Sequence, residues 1–94
     1  MKTPYFTYVL WSPAGRCFYI GVTANLATRL AQHNAGISRW TGRHAGTWEL
    51  VWHREFSGLG EARKYELLLK RQKHGAGFFH LTGLQPPKTV AFGS

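Results

Sequence analysis

The sequence predicts a small α/β domain, a three-stranded and mostly antiparallel sheet flanked by helices in the order β-β-α-β-α. Three observations predict it. Two aromatic and β-branched runs near the N-terminus are separated by a Ser-Pro-Ala-Gly turn. Two later stretches carry apolar residues at helical spacing, each after a capping residue. An alternating run lies between those two stretches and supplies the third strand.

Tyr5 to Trp11 (YFTYVLW) is the first expected strand and Cys17 to Val22 the second, so the two form a β-hairpin around Ser12–Gly15. Thr23 or Asn25 can cap a helix from Leu26 to about Asn34, with Leu26, Ala27, Leu30 and Ala31 as its apolar stripe and Gly36 placed to end it. Ile37 to Gly46 (ISRWTGRHAG) is polar and basic and reads as a loop with room for one helical turn. Trp48 to Phe56 is the third strand, where Trp48 and Trp52 pack. Ser57 caps a second helix over about Leu59–Lys73, with Ala62, Tyr65, Leu68 and Leu69 on its apolar face. The segment HGAGFFHLTGL is too rich in glycine to predict as a helix, and Gln85–Ser94 is expected to be a flexible tail. Residues 1–84 are thus read as one domain and 85–94 as its tail.

Composition narrows the function. A chain of 94 residues with 44% hydrophobic and 15% aromatic content can fold around one modest core. Its longest apolar run, Phe6 to Trp11, is too short to span a membrane, and Met1–Pro4 has no run of signal-peptide type, so the expected location is the cytoplasm. Cys17 is alone, fits no zinc spacing and is expected to be a small buried strand residue. Twelve Lys and Arg against four acids give +8 and a pI near 10.3, which favours a polyanionic partner, nucleic acid above all. The chain has no aspartate, and its side-chain carboxylates are Glu49, Glu55, Glu61 and Glu66. That excludes a metal centre needing many carboxylates and leaves chemistry resting on one or two glutamates.

One constellation stands out. Tyr8 and Tyr19 lie on neighbouring strands and can share a face, while Gly21 marks a place where the backbone passes close to another group. Asn25, Arg29 and His33 are spaced by four and share one helical face that begins just after Gly21. Two phenols, a guanidinium and an imidazole can therefore meet at one edge of the sheet. A guanidinium suits a phosphate because its planar fork bonds two oxygens, and an imidazole moves a proton near neutral pH. Glu66 supplies a hard oxygen ligand for Mg²⁺ or Mn²⁺, and it reaches the same cleft if its helix packs beside that of Arg29. Taken singly, each residue has a plainer role: Tyr8 and Tyr19 as packing, Arg29 as a solvated side chain, His33 as a helix C-terminal residue, Glu66 as the i,i+4 partner of Lys70.

Taken together they resemble the GIY-YIG nuclease domain. Tyr19-Ile20-Gly21 follows Tyr8 by eleven residues, and Arg29 stands eight residues after the glycine. NLATRLAQHNAG is similar to the family pattern NLERRLxxHN, TWELVW to its third strand, and GEARKYE to the segment EALxxE that ends in the metal-binding glutamate. The resemblance covers about Tyr5 to Lys73 and is nearest in size to the small stand-alone members, with likeness also to the catalytic domain of nucleases that cut branched DNA. A more distant relative is the N-terminal domain of the bacterial excision-repair nuclease, which makes DNA repair the expected setting. It implies a metal-dependent endonuclease acting on DNA, branched or single-stranded. In that reading Glu66 holds one divalent cation (Mg²⁺ or Mn²⁺), Arg29 neutralises the scissile phosphate, and Tyr8 and Tyr19 orient water and phosphate. His33 is the preferred general base, because a free phenol loses its proton only near pH ~10. Gly21 and Asn25 are structural members of the motif.

Three departures accompany the resemblance. The first motif reads Phe6-Thr7-Tyr8 and keeps only its tyrosine; a region where some members carry an ordering asparagine holds Phe78; and the C-terminal segment lacks the basic helix that closes many small members, which bears on substrate choice. Arg39, Arg43, Lys70 and Arg71 are candidate contacts to a DNA backbone, and Trp40 either stacks on a base or fills a gap. The competing readings are a non-catalytic nucleic-acid-binding module of the same fold and an adaptor that docks a protein through FFHLTGL. A protein partner and a homodimer both stay open.

Overall fold

The computed structural model describes residues 3–72, 76–86 and 91–93. Strands β1 (Tyr5–Ser12) and β2 (Cys17–Thr23) form the expected hairpin, followed by helix α1 (Leu26–Asn34), a 3-10 turn (Thr41–His44), strand β3 (Glu49–Phe56), helices α2 (Leu59–Gln72) and α3 (Ala76–Thr82), and strand β4 (Ala91–Gly93). The sheet order is β3-β1-β2-β4, with β1 central and antiparallel to both neighbours. The three antiparallel strands are those the sequence predicts.

Two additions lie beyond the sequence reading. Ala91–Gly93, within the expected tail, pairs in parallel with Cys17–Tyr19. The glycine-rich aromatic segment contains α3, because Phe78 is fully buried against Phe18 and burial outweighs the poor propensity of its neighbours. His74 and Gly75 of that segment, Lys73 at the end of the second predicted helix, and residues 87–90 and 94 of the tail lie outside the described residues.

The alternation of β1 and β2 sorts side chains to two layers. Val9, Phe18 and Ile20 meet Leu69 of α2 and Phe78 of α3 on one face, with Trp52 and Tyr65 packed around them. Tyr8, Leu10 and Cys17 meet Trp48 on the other, beside Leu26 and Leu30 of α1 and the Trp40 indole. Cys17 is buried, as expected of a strand cysteine. The helices α1 and α2 therefore cover opposite faces of the sheet.

Candidate active site

The register of the hairpin sets the first two residues of the site. Tyr8 is the cross-strand partner of Gly21, and both face the α1 layer. A Cβ at position 21 would stand 2.5 Å from the Tyr8 hydroxyl oxygen and 2.6 Å from the ring carbon that carries it. Glycine is required there because the phenol lies across the backbone, not because of an unusual φ. Tyr19, two residues earlier, faces the same layer with its ring centroid 6.3 Å from that of Tyr8.

Helix α1 brings the next two. Asn25 caps it, its side chain accepting a hydrogen bond from the Thr28 amide at 3.0 Å, and so fixes where the helix starts. One turn on, Arg29 is half-buried, and its Nη1 donates to Gln32 Oε1 at 2.9 Å. The next turn places His33, with no exposed surface, 4.8 Å from the Tyr19 ring and 6.0 Å from the Tyr8 ring. Its Nε2 lies 2.8 Å from the Tyr8 hydroxyl, and its Nδ1 lies 2.7 Å from Thr41 Oγ1.

Thr41 was not singled out in the sequence. Its hydroxyl holds His33 while its carbonyl accepts a 2.7 Å hydrogen bond from the Trp48 indole N–H. Asn34 was also missed: its amide oxygen accepts from the Trp48 backbone N–H at 2.8 Å, and its NH₂ donates to the Trp48 carbonyl at 3.0 Å. Asn34 thus pins the segment entering β3 to the end of α1. Its place in the matched NLATRLAQHNAG stretch was the available signal.

These contacts change the chemistry expected of His33. The sequence reading made it a base that acts without help, yet both ring nitrogens are engaged within the protein. Burial, followed by the positive charge of Arg29, lowers its pKa from 6.5 to about 4, so the ring is neutral at pH 7. Burial also pushes the Tyr8 hydroxyl well above its ordinary value. Tyr19 adds to that rise, Arg29 opposes it as a hydrogen-bond donor and as a charge, and the Glu66 carboxylate adds to it again.

Glu66 reaches this group by a route other than the one expected. Its helix does not lie beside α1 but across the sheet from it. The carboxylate is nonetheless near enough to act electrostatically on Tyr8. Strand β4 covers β2 only at Cys17–Tyr19, so Ile20–Thr23 form the end of β2 left uncovered by the described residues. Glu66 Oε2 pairs with Lys70 Nζ at 3.1 Å, and its side chain is 15% exposed. Among the described residues nothing bonds its other oxygen, and no group of three or more His, Cys or Glu residues is assembled. One accessible carboxylate oxygen fits a hard cation that keeps most of its ligands as water and phosphate.

Arg39, Trp40 and Arg43 gather on and beside the 3-10 turn, around a recess of about 410 Å³. Trp40 stacks on Tyr19, with centroids 6.1 Å apart and planes 24° apart, so this group adjoins the two phenols. Lys70 is tied to Glu66, and Arg71 is exposed at the end of α2.

The profile of the family described as the GIY-YIG catalytic domain matches residues 4–77. This chain belongs to the GIY-YIG family. It is similar to a UPF0213 protein of Nitratidesulfovibrio vulgaris, 38% identical over 68 residues that cover 72% of this chain and 61% of that protein. It is also similar to a UPF0213 protein of Lactiplantibacillus plantarum, 36% identical over 80 residues that cover 83% of this chain and 78% of that one. The chain thus spans less than two thirds of the first relative's length. The GIY-YIG family is a family of nucleases, whose substrates are nucleic acids. No helix among the described residues is long and apolar enough to cross a membrane.

Proposed function

We propose that this GIY-YIG chain is a divalent-metal-dependent endonuclease that hydrolyses phosphodiester bonds in DNA, branched or single-stranded, with a role in DNA repair in the cytoplasm. The observation that carries the reading is the hydrogen-bonded run Thr41–His33–Tyr8, with Arg29 and Glu66 both acting on the Tyr8 hydroxyl. A binding module has no need of a buried neutral imidazole aimed at a phenol.

With the His33 proton on Nδ1 and donated to Thr41, Nε2 accepts from the Tyr8 O–H. The Tyr8 oxygen then offers its lone pairs to the attacking water. As the water oxygen bonds to phosphorus, its proton goes to the Tyr8 oxygen and the proton of Tyr8 passes to His33 Nε2. The P–O bond to one sugar breaks with its electron pair on the sugar oxygen, which takes a proton from solvent water, while His33 returns its extra proton to solvent through Tyr8. Arg29 binds two oxygens of the phosphate and neutralises the charge that grows there. Tyr19, packed between His33 and Trp40, orients the phosphate through its hydroxyl. Glu66 would hold one Mg²⁺ or Mn²⁺, which when bound polarises the phosphate and stabilises the leaving oxygen. Arg39, Arg43, Lys70 and Arg71 contact the DNA backbone, so binding weakens with salt.

The test is cleavage of labelled single-stranded, duplex, flap and four-way-junction DNA with Mg²⁺, Mn²⁺ or EDTA, wild type beside Glu66→Ala. Metal-dependent cutting that disappears in a folded variant which still binds DNA supports the proposal. A folded wild type that binds every substrate and cuts none removes the enzymatic reading and leaves the binding module.

A further inference from the structure

The recess beside Tyr19 has a composition that the hydrolysis described above does not use. One wall is the half-buried indole of Trp40, which is held by Tyr19 in a stacked arrangement and by Trp48 at 5.9 Å. The other walls are Arg39 and Arg43, both exposed. The one ion pair among the described residues joins Lys70 to Glu66, so neither guanidinium is neutralised by a carboxylate there. A rigid aromatic face flanked by two unneutralised guanidiniums matches a nucleobase with a phosphate on either side. A nucleic-acid strand repeats a flat ring beside an anion at every nucleotide, whereas a protein does so only where aromatic and acidic side chains alternate. A continuous duplex offers the anions, but its bases are stacked on one another and cannot reach an indole on the protein surface.

We propose that the Arg39–Trp40–Arg43 recess binds one unpaired DNA nucleotide, its base on the Trp40 indole, immediately next to the scissile phosphate held at Tyr19 and Arg29. This rests on the nuclease reading for the position of the cut, but not for the binding itself. It selects among the substrates left open above: a strand must be single, or locally unpaired, where it is cut. The selectivity comes from an aromatic face that every base can use, so it is a preference for shape and not for sequence.

Binding without cleavage separates this proposal from the one it builds on. In the Glu66→Gln background, fluorescence anisotropy would compare a flap DNA, the same flap with an abasic unit at the nucleotide beside the junction, and a continuous duplex of equal length. The expected result is that Trp40→Leu weakens flap binding about tenfold, the scale of one lost base stack, and leaves duplex binding unchanged. Trp40→Phe, which keeps a ring, retains flap binding. The abasic flap binds the parent as weakly as the intact flap binds Trp40→Leu. Equal losses for flap and duplex, or an abasic flap that binds as well as the intact one, would overturn the proposal. Should Trp40→Leu not fold, the abasic comparison on the parent decides alone. The pattern is read whether or not the wild type cuts any substrate, so failure of the nuclease reading shows as absent cleavage and not as a changed binding pattern.

Discussion

Acid should destabilise this protein through His33. The ring has no exposed surface, and burial, then the charge of Arg29, lowers its pKa from 6.5 to about 4. Unfolding restores the ordinary value. Between about pH 6.5 and pH 4 the unfolded chain therefore binds more protons than the folded one, and stability rises with pH across that window. At pH 7 and above both states are neutral and nothing is lost. Below pH 4 the loss is complete and amounts to about 3 kcal/mol, a large share of the stability of so small a domain. Urea denaturation followed by far-UV circular dichroism at several pH values from 7.5 to 4 measures it. His33→Phe supplies the comparison. That variant keeps a ring in the site and is less stable at pH 7.5 by about 1–3 kcal/mol, because the Tyr8 and Thr41 hydroxyls lose a partner. Its dependence on pH across the window should nonetheless flatten. A His33→Phe variant with the wild-type slope would refute the argument, and would mean that the acid sensitivity arises at another group.

Arg29→Ala should slow cleavage by ~10²–10³, the scale for removing one transition-state donor, with DNA affinity changed much less; single-turnover kinetics beside anisotropy would show it, and an unchanged rate would remove Arg29 from the chemistry. Gly21→Ala should cost about 1–3 kcal/mol in chemical denaturation, because the new methyl meets a buried Tyr8 ring that is tied to His33, and its loss of cleavage should persist at temperatures where the variant is fully folded. Thr41→Val removes the partner of His33 Nδ1 and should lower stability by about 1 kcal/mol and reduce the cleavage rate, while Thr41→Ser restores the rate; a serine variant as slow as the valine one would show that the methyl group matters and the hydroxyl does not.

What could be read from the sequence follows from how local each determinant is. The pairing of Tyr8 with Gly21 depends on one hairpin, whose alternation and turn are visible in the chain. The alignment of Arg29 with His33 needs only the period of one helix. Glu66 belongs to the matched motif, yet the layer of its helix depends on whether Leu69 and Tyr65 meet Val9 and Ile20 or the far face. Helical spacing is the same in either case. Thr41 and Asn34 are single polar residues whose partners lie seven and eight positions away for Thr41 and fourteen for Asn34, and no periodicity announces such a bond. Helix α3 was hidden by glycines that argue against a helix locally, while the burial of Phe78 that decides the matter is tertiary. Strand β4 is three residues long and parallel to β2, so no turn signal could join it to its partner.

The 3-10 turn explains why a polar, basic loop with no regular pattern is held so firmly. Its residues serve two masters one peptide apart. Trp40 presents its indole to the recess and rests on Tyr19, while Thr41 orients His33 through its hydroxyl and anchors on Trp48 through its carbonyl. A group that presses on the indole therefore acts on the residue next to the one whose hydroxyl bonds His33 Nδ1. Were the turn loose, a nucleotide could bind without bringing the phenol and imidazole into line. The Thr41–Trp48 bond removes that freedom by tying the turn to buried Trp48, the residue before β3, where Asn34 also ties the end of α1. The recess and the His33–Tyr8 pair, proposed above for recognition and proton transfer, are thus attached to neighbouring residues of one hydrogen-bonded turn.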